Sequence, residues 1–347
     1  MTGKEIVLKG MRFEETPRLP VAILDGYVWI LRKNNISFRE LLEMEDGGAE
    51  VVEKAFDDFQ SDIVYPNIHA FNFLFEIMGG IVSCDRKGET FEVTKTPLEE
   101  INDFRQYDVD KLCEQLEQKK EYAVGLGLLE KLKKYYGEDK LVCAVSVAPL
   151  TLAGMMLGVQ NFMMQLYDDE EGTVALLEFA TELVVRLCES QIARGADAVF
   201  IADPVASGDL ISPSMFEEYA LPYIKEVTGR LKKYDVPIIL HICGNTQARL
   251  EPLKEAGISA FSLAAVDLKE ALETARGHYA IFGNMDPFSV MQAMTSDKVY
   301  QTCKELGDIA GLEGGYVMMP GCDLPPAAPL ENVQAMVKAA HDTVPSV

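Results

Sequence analysis

The sequence predicts an α/β fold, a closed (β/α)8 TIM barrel with an N-terminal arm and a helical insertion, on three observations. Short apolar runs recur eight times along the 347 residues. Most are separated by stretches whose apolar side chains have helical spacing, and polar or metal-capable residues gather just after the runs. In such a barrel the C-terminal strand ends form one mouth, so the chemistry is expected there. The expected organisation is a single domain over residues 1–347, with about 85–140 as the insertion.

Taken in order, Leu19–Asp25 follows a polar arm and reads as the first barrel strand. Phe38–Leu42 and Val51–Phe56 space their apolar residues for one helix face, and Ser61–Pro66 is a second strand ended by a proline. From about Asp85 to Lys140 the chain is polar, which predicts mostly helix, with Leu112, Leu116, Tyr122, Leu129, Leu132 and Tyr135 buried and the whole covering the barrel mouth. Leu141–Val147 is the third strand, and Ala148-Pro149 turns into a helix carrying Met155, Met156, Met163 and Met164. Methionine adapts to flat ligands as well as to cores; core packing is the reading taken. Thr173–Arg194 is a long amphipathic helix, Gly195–Pro204 a turn, strand and polar end, and Met215–Lys233 another helix. The remaining strands are Val236–Ile242, Ser259–Leu263, Tyr279–Phe282 and Gly315–Met319.

Composition narrows the function. With 32 basic and 55 acidic residues the formal charge is −23, which opposes non-specific binding to nucleic acid and to anionic membranes. Seven cysteines lie at 84, 113, 143, 188, 243, 303 and 322 without framework spacing, which points to a reducing, cytoplasmic setting without disulfides. The first ten residues lack the pattern of a signal peptide. Leu141–Tyr167 carries no charge, yet Pro149, Thr151, Gln160, Asn161 and Gln165 divide it, and it reads as buried core rather than a membrane span.

The chemistry centres on Val236–Asn245, an apolar run ending in His241-Ile242-Cys243-Gly244-Asn245. Side chains alternate along a strand, so His241 and Cys243 point the same way. That is half of a zinc site, and a second run, Gly315–Asp323, supplies a matching cysteine at Cys322, 79 positions later. Three ligands of this kind with an open fourth position would make a catalytic zinc; buried small hydrophobes are the alternative use of the cysteines. The polar residues at predicted strand ends are Asp25, Asp203, His241, Cys243, Asp267, Asn284, Asp286 and Cys322. Of these, Asp203, Asn284 and Asp286 are candidates for binding substrate or orienting His241, against an alternative role as helix caps. His69, His278 and His341 have no partner pattern and read as surface or packing residues.

Several motifs in one order now point to a family. They are Asp203-Pro204 with Ser207, His241-Ile242-Cys243-Gly244-Asn245, Gly283-Asn284-Met285-Asp286-Pro287, Pro320-Gly321-Cys322-Asp323-Leu324-Pro325 and Glu331-Asn332. Together they resemble the uroporphyrinogen decarboxylase superfamily over about 141–341, with only loose likeness before that, chiefly at 19–23 and 61–63. Within it, His-x-Cys and the distant Cys resemble the zinc-dependent branch, the methylcobamide:thiol (coenzyme M-type) methyltransferases.

That resemblance implies a zinc held by His241, Cys243 and Cys322, a corrinoid (cobalamin) supplied by a partner protein, and methyl transfer to or from a small substrate. The substrate would be a thiol acceptor or a methylated oxygen, nitrogen or sulfur donor. The decarboxylase branch carries Arg-Gln-Ala-Gly-Arg-Tyr where this chain reads Ala22-Ile23-Leu24-Asp25-Gly26-Tyr27, with no arginine for a substrate's carboxylates. Some relatives place a ligating glutamate about two dozen residues after His-x-Cys; here the place reads Leu263–Asp267, with Asp267 or water as its substitute. Two competing readings are a decarboxylase acting on a tetrapyrrole and a non-catalytic barrel that binds a corrinoid or tetrapyrrole.

Overall fold

The computed structural model describes residues 1–24, 26–66, 70–84 and 88–344. Seven parallel strands make one sheet: β1 Ile63–Val64, β4 Leu141–Val147, β5 Ala198–Ala202, β6 Ile238–His241, β7 Ala260–Ser262, β8 Ala280–Met285 and β9 Tyr316–Pro320, each paired with the next. β2 Ile81–Cys84 and β3 Phe91–Lys95 form a separate antiparallel hairpin. Parallel strands need crossovers, and helices supply most of them here. The strands are therefore covered on their outer faces and read as continuous apolar runs rather than alternating ones.

The eighth sector is the segment around Val21, which closes the sheet without becoming a regular strand. Ala22 N donates to Met318 O and Met318 N to Pro20 O, which ties the segment to β9. On the other side Asp62 N donates to Val21 O, but the return bonds come from side chains: Val21 N donates to Asp62 Oδ2 and Ile23 N to Ser61 Oγ. Pro20 has no N–H to give, so the expected strand over 19–25 shrinks to a single bridge at Val21. Arg18 braces the closure with a two-pronged ion pair to Asp62, both N···O distances 2.7 Å.

The region 81–136 departs from the helical expectation at its start. Residues 91–95 are strand, because Val93 and its neighbours pair with 81–84 in the hairpin; a 3-10 helix at Ile101–Gln106 and α-helices at Val109–Gln118 and Lys120–Tyr136 follow. Leu112, Leu116, Tyr122, Leu129 and Leu132 are buried as expected, but Tyr135 is 55 % exposed and Tyr136 takes the inward position. A helix turns about 100° per residue, so neighbours cannot share a face, and the Tyr136 hydroxyl satisfies itself on Glu53 O. Two further helices are shorter than expected. Gly158, at φ +85°, separates Pro149–Leu157 from Val159–Asp168, which leaves Met156 buried but Met164 outward. The stretch 215–233 breaks at Ala220, two residues before Pro222.

One charge cluster lies at the end of the barrel where the strands begin. Lys4, on the N-terminal helix Gly3–Met11, and Lys133 both reach Asp197, whose other oxygen accepts Val142 N. Residues Asp25 and His69 fall outside the described residues. Among the described residues no helix is long and apolar enough to cross a membrane, and all seven cysteines are free.

Breaking the closure should be costly. Asp62→Ala removes one partner of a largely buried ion pair and the acceptor of Val21 N. It is expected to lower unfolding stability by roughly 3 kcal/mol, read as a lower urea midpoint; a change within error would show that the arm closes the barrel without Asp62.

Candidate metal centre

The strand register delivers the first ligand. His241 is the last residue of β6, 4 % exposed, and sits opposite Ala202 of β5 and Ser262 of β7. Its ring stacks on Phe200 with centroids 5.5 Å apart, and its Nδ1 lies 2.9 Å from Ser262 Oγ. With Nδ1 engaged by a buried hydroxyl, Nε2 is the nitrogen turned to the mouth, 3.0 Å from Cys243 Sγ.

Cys243 stands two residues beyond β6 and Cys322 two residues beyond β9, and their sulfurs lie 3.7 Å apart. Both loops are placed by glycines in close packing. Gly244 has φ +70°, and a Cβ there would come within 2.2 Å of Asp209 Oδ2 and 2.7 Å of Ser207 Oγ. A Cβ on Gly321 would meet Ala264 Cα at 2.6 Å, while Gly321 N donates to Met285 O. Each cysteine is thus held by backbone packed directly against a neighbouring strand's loop.

The three ligand atoms lie within 4.8 Å of one another and are the group of this kind found among the described residues. Zinc–sulfur bonds of about 2.3 Å at tetrahedral angles separate two sulfurs by about 3.8 Å. The observed sulfur pair matches that edge, so the donor set fits a metal ion in chemistry and the two sulfurs fit it in spacing. Hydrogen bonding with the neighbouring Cys243 thiol, and with His241, lowers the Cys322 thiol below its ordinary value. Cys243 is correspondingly raised, by Cys322 and by burial.

The remaining sequence candidates separate. Asp203 is wholly buried at the end of β5; its N donates to His241 O and its Oδ1 accepts from Thr151 N and from Thr151 Oγ1, the latter at 2.6 Å. Burial raises it to about 7 against the pull of those two bonds. Asp203 therefore braces the β4 and β5 loops beside the histidine. Asn284 donates from Nδ2 to Val266 O, tying β8 to the β7 loop, and its buried Oδ1 has no partner. Asp286 is exposed and caps the turn 287–292, accepting from Ser289 N, Ser289 Oγ and Phe288 N, bonds that lower its carboxyl below the usual range. Asp267 is no substitute ligand: it caps Leu268–Ala275 through Glu270 N and stands outside the cluster. His278 is exposed and His341 half-buried, away from the cluster.

Sequence reasoning missed Ser262, Thr151 and Arg249. Ser262 could have been found as the lone hydroxyl closing an apolar strand. Arg249 is 1 % exposed, lies over Phe216, and donates to Ala206 O and Ile211 O, so it anchors the loop that packs on Gly244.

A family model described as uroporphyrinogen decarboxylase (URO-D) matches residues 2–343. The chain belongs to the uroporphyrinogen decarboxylase family. Among curated proteins similar to this chain, a methylcobamide:CoM methyltransferase (MtbA) of Methanosarcina acetivorans is 32 % identical, over 67 % of this chain and 70 % of that protein. One of Methanosarcina barkeri (MtaA) is 28 % identical, over 79 % and 78 %. A uroporphyrinogen decarboxylase of Carboxydothermus hydrogenoformans is 26 % identical, over 96 % and 95 %. In structure, this chain superposes on a methyltransferase from Methanosarcina mazei with TM-score 0.87, 24 % identity and 99 % coverage of both chains. A B12-independent methionine synthase from Shewanella shares the fold at TM-score 0.54.

If Ser262 orients His241, Ser262→Ala should weaken zinc about 10- to 100-fold in competition with a chromophoric chelator, while Ser262→Thr keeps most of the affinity. Unchanged affinity in the alanine variant would remove Ser262 from the site.

Proposed function

We infer that this chain is a zinc-dependent methyltransferase that moves a methyl group between a corrinoid protein and a small substrate, either a thiol acceptor or a methylated donor. One observation carries the reading: an imidazole and two thiol sulfurs converge at the barrel mouth, with no fourth His, Cys, Asp or Glu donor beside them among the described residues. Structural zinc sites are closed by four protein ligands, whereas catalytic ones keep a position for substrate. The names of the methylcobamide:CoM methyltransferase relatives support the same reading.

Zinc, when bound, would supply Lewis acidity that keeps an entering thiol sulfur deprotonated and nucleophilic near neutral pH, or that polarises a methylated heteroatom. His241, Cys243 and Cys322 would hold it. A proton on Nδ1 facing Ser262 Oγ would keep Nε2 free to bind, and the stacked Phe200 fixes the ring plane. Two thiolates offset the charge of a divalent ion, which leaves the entering sulfur electron-rich. Asp203 and Thr151 keep the β4 and β5 loops in place behind the histidine.

The decarboxylase reading has no comparable support at this site. A substrate with many carboxylates calls for cations, and residues 22–26, 65–72, 203–212, 242–246, 263–267, 286–295 and 321–329 contain neither lysine nor arginine.

Protein purified anaerobically is expected to carry about one zinc per chain by elemental analysis, and Cys322→Ala to lose it together with methyl transfer between free methylcobalamin and small thiols or methylated substrates. Full activity in zinc-free protein would overturn the assignment.

A further inference from the structure

The two sulfurs at the barrel mouth carry a chemistry of their own besides metal binding. Cys243 Sγ and Cys322 Sγ lie 3.7 Å apart, and both residues are partly exposed. The buried cysteines face other partners: Cys143 turns to Ala144 O, Cys188 to Ser146 and Cys303 to the Met285 sulfur. A small oxidant arriving at the mouth therefore meets two thiols already side by side.

A disulfide brings its sulfurs to about 2.0 Å, so this pair must close by roughly 1.7 Å. Small turns about the two Cα–Cβ bonds reach that far. The loops themselves stay in place, because Gly244 and Gly321 pack directly on Asp209 and Ala264. A neighbouring thiol also changes the outcome of oxidation, since it captures a sulfenic acid before further oxygen is added.

We propose that Cys243 and Cys322 form a reversible redox switch: in metal-free protein a peroxide closes them into a disulfide, and that bond and zinc exclude one another. In the first step peroxide transfers one oxygen to one thiol, giving a sulfenic acid and a water molecule. The second thiol then attacks the oxidised sulfur; the S–S bond forms as the S–O bond breaks, and a second water carries away the last thiol hydrogen. Two electrons pass from the sulfurs to the peroxide, and a dithiol reductant returns them by exchange. A disulfide offers zinc no thiolate, so only His241 remains of the three ligands. Bound zinc acts in the opposite sense, because it engages both sulfurs and holds them apart. This mutual exclusion rests on the zinc reading above.

The test treats reduced, chelator-stripped full-length protein with one equivalent of hydrogen peroxide, followed by N-ethylmaleimide and trypsin. Cleavage isolates Cys243 in residues 234–249 and Cys322 in residues 305–338, and neither peptide holds another cysteine. Mass spectrometry should find these two peptides joined. The oxidised protein should bind zinc about a hundredfold more weakly than the reduced protein in competition with a chromophoric chelator, and dithiothreitol should restore the affinity. Zinc-loaded protein should form the link about tenfold more slowly. Reduced protein that binds zinc yet forms no such link, or joins Cys84 or Cys113 instead, would overturn the switch and leave the metal site standing. A link that leaves zinc affinity unchanged would overturn the exclusion. Reduced protein that takes up no zinc would remove the metal reading, and the switch with it.

Discussion

An imidazole and two sulfurs must be brought within bonding distance of one point, although Cys322 lies 79 positions from Cys243. Local sequence cannot do this; a barrel can, because every parallel strand ends on the same rim. The fixed register of β5 to β7 sets His241 beside Ser262 and beneath Phe200, while β8 and β9 bring Cys322 round to the same side. The last ångström is decided by Gly244 and Gly321. Each lets backbone approach a neighbouring loop more closely than any side chain would allow. Closure at Val21, with Asp62 and Ser61 substituting for missing ladder bonds, keeps the rim circular.

Much of this was legible in the chain, for physical reasons. Buried parallel strands must be apolar throughout, so β4 could be delimited as Leu141–Val147 from the run alone. The two-residue repeat put His241 and Cys243 on one side, and the second Gly-containing run supplied Cys322. What was not legible depends on tertiary partners. Whether Tyr135 or Tyr136 faces inward depends on helix phase, which one tyrosine pair cannot set. The 91–95 strand exists because 81–84 lies beside it, and the Val21 segment is bonded by side chains 38 and 41 residues away, which no local pattern announces. Asp267 and Asp286 looked like mouth residues and are so placed, but their carboxylates are spent on helix and turn caps.

Charge is distributed with the same division of labour. At the strand starts, acids and bases neutralise one another and hold the N-terminal helix on the barrel. At the strand ends the acids serve as braces and caps, Asp203 on Thr151 and Asp267 and Asp286 on the turns that follow them.

The central claim is a three-ligand centre with one exchangeable position, and zinc X-ray absorption tests it most directly. The account predicts two sulfurs and one imidazole nitrogen at about 2.3 and 2.0 Å with one further light atom, and a third sulfur replacing that atom when a neutral thiol is added. Four protein ligands unaltered by thiol, or a first shell lacking the sulfur pair, would contradict it.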